Sequence, residues 1–233
     1  MKRFWTDVTI AGGGVLLDGR PVRTPGRLPL VLPTAALADA VAAEWRAVDG
    51  EIDPRAMRLT GLANAAIERI APNPGVFADG LATYAETDLL CYRTDEPAEL
   101  AARQAAMWDP PLDWARARYD VHFTLATGIV HRPQPAATVT RLAEALGAQP
   151  AWTLAPLSPI VTLTGSLVLA LALAERAIDP DAAWAAAELD ATWQAERWGE
   201  DALAAEAAAG RRAEFDAAVR FLRLVSADPD AVA

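Results

Sequence analysis

Paired carboxylates are the side chains of this sequence that most readily suggest chemistry. Glu86 and Asp88 form one pair, and Asp109 and Asp113 form another. Two neighbouring carboxylates can divide acid and base roles or bind a metal ion. The first pair falls at a predicted surface turn, however, and Asp109 precedes Pro110 as an N-cap precedes proline in a first helical turn. We therefore expect both pairs to be structural, with catalysis as the alternative.

The histidines, the cysteine and the glycine run suggest no chemistry either. His122 and His131 are nine positions apart with no cysteine beside them, whereas two metal ligands on one helix face usually stand four apart. Cys91 lies in an apolar run, where burial makes a thiol unreactive. The glycines at 12–14 are followed by no lysine with serine or threonine, so they predict a turn and not a phosphate-binding loop. We expect no catalytic residue, no metal ion and no cofactor.

Charge and composition narrow the class of protein. The chain has 233 residues, is 53% hydrophobic and carries a net charge of -10, so it is typical of a folded acidic protein. Its negative charge repels phosphate backbones, and we expect no nucleic-acid partner. One cysteine cannot form an internal disulfide, and the N-terminus lacks the apolar core of a secretory signal. With 20 arginines and one lysine, the sequence favours a bacterial, cytoplasmic protein.

A stretch without charged side chains at 145–174 raises the question of a membrane span. A spanning helix needs about 20 continuous apolar residues. Prolines interrupt this stretch at 150, 156 and 159, and the part that remains, 163–174, has only 12 residues. We therefore expect a buried core helix and no membrane insertion.

The secondary structure that positions these side chains is predicted to differ along the chain. Residues 4–33 alternate short aliphatic runs with turn signals, which predicts hairpins. A helix should follow the cap Thr34 as far as Val48, with Trp45 as a buried anchor. Further elements are predicted as helices at 59–70 and after Pro74, and as a strand at 89–92.

The second half of the chain is rich in alanine and predicts helices throughout. We place them at 97–108, 111–119, 135–147, 158–176, 180–198 and 200–226. The change of character predicts two domains, a β-rich α+β domain at 1–95 and an all-helical domain at 96–233. The predicted fold class is therefore α+β.

Four clusters along the chain together resemble one known family. They are 18–25 (DGRPVRTP), 43–45 (AEW), 84–93 (YAETDLLCYR) and the spaced pattern Trp193-Gln194 with Trp198-Gly199. The family is the assembly chaperone specific for the alpha subunit of the ATP synthase catalytic head, known in mitochondria as assembly factor 2. The resemblance keeps the expected order from about Phe4 to Leu224.

The resemblance implies a two-domain protein with no catalytic activity and no cofactor. In that family the chaperone binds free alpha subunit and keeps it from aggregating until beta subunit replaces it. An unassembled ring subunit exposes an apolar face that its neighbour would bury, and such a face self-associates unless something covers it. We expect the same partner here, with the free chaperone as a monomer.

The resemblance also points to a site on the helix that begins at Pro180. An acidic residue three positions before the aromatic residue of the Trp-Gln pattern is functional in the family, and Asp190 holds that position here. The family favours glutamate there, so the shorter Asp190 departs from its pattern. The other residues we expect to bind the partner are Trp193, Gln194, Glu196 and Trp198. Helical spacing puts Trp193 and Trp198 on different sides, so at least one should belong to the core.

Two other classes of protein stay open. A small hydrolase or metal-dependent enzyme could use Glu86, Asp88 or Asp109, and a tightly bound metal or a stabilising metabolite would reveal it. A structural subunit would copurify in fixed stoichiometry with mature ATP synthase. A chaperone, by contrast, should be absent from the finished enzyme.

Overall fold

The structure of the protein is a computed structural model that describes residues 2–128, 130–199 and 201–226. It confirms the α+β class, with a small sheet near the N-terminus and mainly helices after it. Contacts divide the chain into two units. Unit 1 holds the described residues of Met1–Pro74, Pro150–Pro156 and Ala217–Ala233, and unit 2 those of Gly75–Gln149 and Leu157–Asp216. The domain bounds 1–95 and 96–233 stay a prediction.

A three-stranded antiparallel sheet begins unit 1, as the turn signals predict. Its strands pair in chain order and are β1 (Val8–Ala11), β2 (Gly14–Leu17) and β3 (Arg20–Pro21). Each turn has two residues with positive φ, which are Gly12 at 57°, Gly13 at 75°, Asp18 at 48° and Gly19 at 78°. Turns of this kind match the twist of the flanking strands, and glycine adopts them at little cost. The prediction of hairpins is confirmed.

Helix α1 (Ala35–Ala47) packs against this sheet. Thr34 caps it, because its side chain accepts a hydrogen bond from the backbone amide of Leu37. Leu37 is fully buried, as the helical spacing predicts. Trp45 is only partly buried and lies edge-on against Trp5, with ring centroids 5.3 Å apart. The helix is confirmed, whereas a fully buried Trp45 is wrong because the ring sits at the margin of the core.

The rest of unit 1 is helical. Helix α2 (Arg58–Ala65) continues into a π-helical turn (Ala66–Ile70), so the helix predicted at 59–70 is confirmed with a wider last turn. Near the C-terminus, Phe221 is fully buried in the core of unit 1. The indole of Trp152 stacks on it, with ring centroids 6.3 Å apart.

Unit 2 is built mainly from helices. Those lying in it wholly or nearly so are α3 (Pro74–Ala82), α4 (Ala98–Tyr119), α5 (Ala136–Gly147), α7 (Leu167–Ala174), α8 (Pro180–Ala187) and α9 (Leu189–Trp198). Helices α6 (Ala151–Thr164) and α10 (Ala202–Val225) contribute residues to both units. Two short strands, β4 (Tyr92–Arg93) and β5 (Ala126–Thr127), pair in parallel. The helices predicted after Pro74, at 135–147 and at 200–226 are confirmed.

The predicted break between helices at 108 and 111 is wrong. Helix α4 runs through Pro110 and Pro111 without ending, although proline removes a hydrogen bond from a helix interior. Buried side chains on both sides of the prolines explain this, since Trp108 and Leu112 are 1% and 0% exposed. Tertiary packing of this kind outweighs local propensity.

Two helices predicted as continuous are each divided in two. The helix predicted at 158–176 is replaced by α6 and α7, which are separated at Gly165, where φ is +64°. Ser166 then caps α7, because its hydroxyl accepts from the Leu169 amide at 3.0 Å. The helix predicted at 180–198 is likewise interrupted at Glu188, between α8 and α9.

The strand predicted at 89–92 is also wrong. Residues Leu89–Cys91 form one turn of 3-10 helix, and only Tyr92 belongs to a strand, β4. Asp88 explains the difference, because its side chain accepts from the backbone amide of Leu90 and so caps the turn. A short apolar run of this length fits either structure when it is buried.

Helix α7 lies in the core of unit 2. Its residues from Leu167 to Leu173 are all buried, which confirms a core helix within the stretch that lacks charged side chains. Within the described part of the chain, none of the helices combines the length and the apolar character needed to cross a bilayer.

Candidate functional site

The carboxylate of Asp88 is fully buried in unit 2, so a position at a surface turn is wrong. Its Oδ1 accepts from the Leu90 amide, and its Oδ2 accepts from the Ser166 hydroxyl and the Val168 amide, each at 3.0 Å. Burial raises the pKa of Asp88 to about 6, and these hydrogen bonds act in the opposite direction. Asp88 therefore ties the turn at 89–91 to the start of α7 and has no access to a substrate.

Glu86 does not act as its partner but belongs to a polar cluster of unit 2. The Tyr92 hydroxyl is 2.9 Å from Nδ1 of His131, and Nε2 of His131 is 3.4 Å from Oε1 of Glu86. Glu86 also accepts a hydrogen bond from the backbone amide of Gln134 at 3.0 Å. These contacts hold the segment after β5 in place.

The second carboxylate pair forms two separate ion pairs. Asp109 lies 2.8 Å from Arg93, and Asp113 lies 2.5 Å from Arg116 on the next turn of α4. Asp109 lies inside α4, so its predicted role as an N-cap is wrong. Cys91 is 1% exposed, and burial raises its pKa to about 12, which confirms an unreactive thiol.

Nor does the structure assemble a metal centre from these side chains. Over residues 2–128, 130–199 and 201–226, no three histidine, cysteine or acidic side chains converge in a way that could hold a metal ion. The candidate site that remains is the one on α9, where all five residues predicted to bind a partner lie.

Asp190, at the start of α9, is half-buried and bound to α4. Its Oδ1 accepts a hydrogen bond from Nε2 of Gln104 at 2.9 Å. Gln104 is only 3% exposed, and its Oε1 accepts from the Thr94 amide at 2.8 Å. One oxygen of Asp190 is thus committed to holding α9 against α4, and a partner would have to use the other.

Ion pairs continue this connection between α4 and α9. Glu196 is 2.7 Å from Arg103, and Glu99 is 2.6 Å from Arg197. All four side chains are largely exposed, so each pair contributes at most about 1 kcal/mol. The pairs fix the register of the two helices more than they stabilise the unit.

Trp193 is the buried anchor of α9, at 5% exposure. Its ring lies beside two guanidinium groups, with 4.6 Å from Arg103 and 4.3 Å from Arg197 to the ring centroid. Contacts of this kind are worth roughly 0.5–2 kcal/mol each. Trp198, by contrast, is 77% exposed. The expectation that at least one of the two tryptophans belongs to the core is confirmed, and it is Trp193.

The opposite face of α9 borders an open groove, which we call the α9–α10 groove. It has a volume of about 460 Å³ and lies between α9 and the first half of α10. Gln194 and Trp198, two of the predicted site residues, both line it. Most of the remaining lining is small, and includes Ala191, Ala195, Ala204, Ala205, Ala207 and Ala208.

Carboxylates in three of the four family-like clusters have structural roles. Asp18 accepts from the amides of Thr6 and Asp7 at 3.0 and 2.8 Å. Glu44 accepts from two amides in the first turn of α2, those of Leu59 and Thr60, both at 2.8 Å. Asp88 caps the turn at 89–91 in the same manner. These three carboxylates therefore hold the fold together.

Comparison with known proteins decides the family. The pattern of the ATP12 chaperone protein family matches residues 2–116. Atp12 from Paracoccus denitrificans is 43% identical in sequence and superposes with a TM-score of 0.90, over 96% of this chain and 98% of that one. The chain belongs to the ATP12 chaperone family.

Two further structures are similar to this ATP12-family protein. One is a variant of the P. denitrificans protein in which one aspartate is replaced by lysine, with 43% identity, a TM-score of 0.89 and coverage of 96% and 97%. The other is a protein from Agrobacterium tumefaciens, with 42% identity, a TM-score of 0.91 and coverage of 97% and 86%. The ATP12 family is one of chaperones and not of enzymes, which confirms the family predicted from the four clusters and sets the hydrolase alternative aside.

Sequence reasoning missed the partners of the α9 residues. Glu99, Arg103 and Gln104 lie on α4, more than 80 positions before the residues they contact. No spacing rule joins side chains that far apart. The α9–α10 groove did have a signal, because alanines recur at three- and four-residue steps on both of its helices.

Proposed function

We propose that this chaperone binds the free alpha subunit of the ATP synthase catalytic head and prevents its aggregation until beta subunit takes its place. The observation that supports it most is the 43% identity to Atp12 of P. denitrificans over 96% of the chain. The four clusters that resemble the alpha-specific assembly chaperone support the same partner. We place this interaction in the bacterial cytoplasm.

A chaperone of this kind works by mass action and needs no cofactor. An unassembled alpha subunit exposes the apolar face that beta subunit would bury, and covering that face lowers the concentration of aggregating species. Release follows when beta subunit competes for the same face. The interaction must therefore be specific but exchangeable.

The binding site in this proposal is centred on α9. Trp198 and Gln194 are exposed and available for contact, and one oxygen of Asp190 is available beside them. Glu196 lies on the side of α9 that faces α4, where it is paired with Arg103. Trp193 contributes by holding α9 in place, since its ring is buried.

A pull-down from bacterial cells making ATP synthase tests the proposal. Tagged chaperone should recover alpha subunit without beta subunit. Recovery of alpha and beta together, in fixed stoichiometry with the mature enzyme, would instead identify a permanent structural subunit. Recovery of neither subunit would reject the proposed partner.

A further inference from the structure

The α9–α10 groove has the form of a receptor for a helix. We infer that it receives a helical segment of the partner that presents large apolar side chains and a lysine or arginine beside them. The inference rests on the proposed function, because it takes the partner to be the alpha subunit. It adds the surface used and the chemistry of the segment recognised.

The groove has the shape and length of a site for a third helix. Lining residues recur at three- and four-residue steps on each helix, and they are Glu188, Ala191, Thr192, Ala195 and Trp198 on one side and Asp201, Ala204, Ala205, Ala208 and Arg211 on the other. Ten residues of helix span about 15 Å, or roughly three turns. Alanine side chains are too short to fill a space of about 460 Å³ between two helices. A third helix with leucine- or methionine-sized side chains would fill it.

One large apolar side chain, that of Trp198 near the end of α9, lines the groove and is exposed. The exposed fraction of Trp198 is 77%. Tryptophan is enriched among the residues that contribute most to binding at protein interfaces. The indole therefore adds exposed apolar surface to the alanine-lined floor of the groove.

The other faces of α9 explain why the partner must approach from this side. Asp190, Trp193 and Glu196 are all bound to α4, through Gln104 and Arg103. A partner that docked fully on that face would have to break these contacts first, although they leave the second oxygen of Asp190 available. The groove side requires no such rearrangement.

The charged side chains that line the groove indicate the charge of the occupant. Among the described lining residues, the charged side chains are Glu188, Asp201 and Arg211, and Glu188 is already paired with Arg211 at 2.8 Å. Asp201 is exposed and has no ion pair in the part of the chain that the structure describes. The uncompensated charge at the mouth is negative, which favours a basic side chain in the occupant.

A fluorescent label in the groove tests the location. Cys91 is buried and unreactive, so a cysteine introduced by Ala204→Cys can be labelled alone with an environment-sensitive dye. Purified alpha subunit should shift the emission of this label to the blue. The matched control is Ala209→Cys on the same helix, which does not line the groove and should show no shift. A shift at 209 and none at 204 would overturn the inference.

Filling the groove tests its role. Ala205→Leu adds a large side chain to the groove and should weaken alpha binding by about tenfold or more. Ala209→Leu makes the same change outside the groove and should bind like the parent. Trp198→Ala, at an exposed position that cannot affect folding greatly, should weaken binding as well and guards against misfolding of the filled variant.

The results separate this inference from the proposed function. If the parent protein does not bind alpha subunit, the proposed function fails and the groove inference fails with it. If the parent binds and Ala205→Leu and Trp198→Ala bind equally well, only the groove inference is overturned. A concentration-dependent dimer of the parent that Ala205→Leu abolishes would assign the groove to a second copy and also overturn it.

The basic side chain of the occupant has its own test. Asp201→Asn removes the charge while keeping an N-cap, because asparagine caps helices as well as aspartate does. Binding of alpha subunit should weaken several-fold and become less sensitive to salt. Unchanged affinity and salt dependence would remove the basic side chain from the inference.

Discussion

Gln104 donates a hydrogen bond from its Nε2 to Oδ1 of Asp190 across 2.9 Å and so joins α4 to α9. Because Gln104 is almost wholly buried, it has no water to replace Asp190 if that carboxylate is removed. Asp190 is thus both a structural residue, through one oxygen, and a candidate for contact with the partner, through the other.

Asp190→Lys should therefore reduce stability as well as binding. Loss of the acceptor leaves a buried donor unsatisfied, which costs about 1–3 kcal/mol, and the melting temperature should fall. Asp190→Asn is the matched control, since its amide oxygen can still accept from Gln104. We expect Asp190→Asn to melt close to the parent and to bind alpha subunit more weakly. An Asp190→Lys variant that melts like the parent would show that the contact with Gln104 is not formed.

Trp193 should be essential for the stability of unit 2. Trp193→Ala removes a buried ring and two guanidinium contacts, and we expect a loss of about 3–5 kcal/mol in the free energy of unfolding. Urea denaturation followed by circular dichroism measures it. The exposed Trp198→Ala should lose less than about 0.5 kcal/mol. Equal losses for the two variants would contradict the assignment of Trp193 to the core.

Asp88 should make the protein more stable as the pH falls from about 6 to 4. Its pKa in the folded state is about 6, above the ordinary value of 3.8, so in this range the folded protein holds a proton that the unfolded chain has released. The buried, ionised carboxylate lowers the free energy of unfolding by about 3 kcal/mol above pH 6. This loss of stability disappears below pH 4, where the carboxyl is protonated in both states. The difference in unfolding free energy between the parent and Asp88→Asn, measured across this range, should show it.

Asp18 should show the opposite dependence of stability on pH. Backbone amides of Asp7 and Thr6 lower its pKa, so its stabilising effect is present at neutral pH and is lost as the pH falls through the folded-state pKa. On acidification, the parent should lose its advantage in unfolding free energy over Asp18→Asn. Over the same pH range, the parent should gain unfolding free energy relative to Asp88→Asn. Parallel pH profiles for the two variants would contradict the burial of Asp88.

Trp45→Arg should destabilise unit 1 moderately. Trp45 is partly buried against Trp5, so arginine loses the ring contact but can extend its charge towards solvent. We expect a lower melting temperature without loss of folding. The fully buried Leu37→Arg is the comparison, and it should abolish soluble expression because its charge cannot escape. A Trp45→Arg variant as insoluble as Leu37→Arg would place Trp45 in the core after all.

Local signals in the sequence predicted much of the fold. The hairpins follow from Gly12-Gly13 and Asp18-Gly19, and α1 follows from its cap Thr34, because turns and caps depend on neighbouring residues alone. The turn at 89–91 and the uninterrupted α4 could not be predicted in this way. A buried carboxylate decides the first, and packing on both sides of Pro110 decides the second.

The candidate site was predicted only in part for the same reason. The position of Asp190 followed from the family-like pattern, but its contact with Gln104 joins residues 86 positions apart. The exposure of Trp198 and the burial of Trp193 likewise depend on which face of α9 packs against α4. Only the structure separates the residues that hold α9 in place from those that border the α9–α10 groove.

Light scattering from isolated alpha subunit tests the central claim most directly. At a temperature where alpha subunit aggregates alone, an equimolar amount of this chaperone should suppress the rise in scattering, and later addition of beta subunit should release the chaperone. Serum albumin at the same concentration should not protect. Scattering that rises as fast with the chaperone as without it would contradict the claim that this protein shields the free alpha subunit.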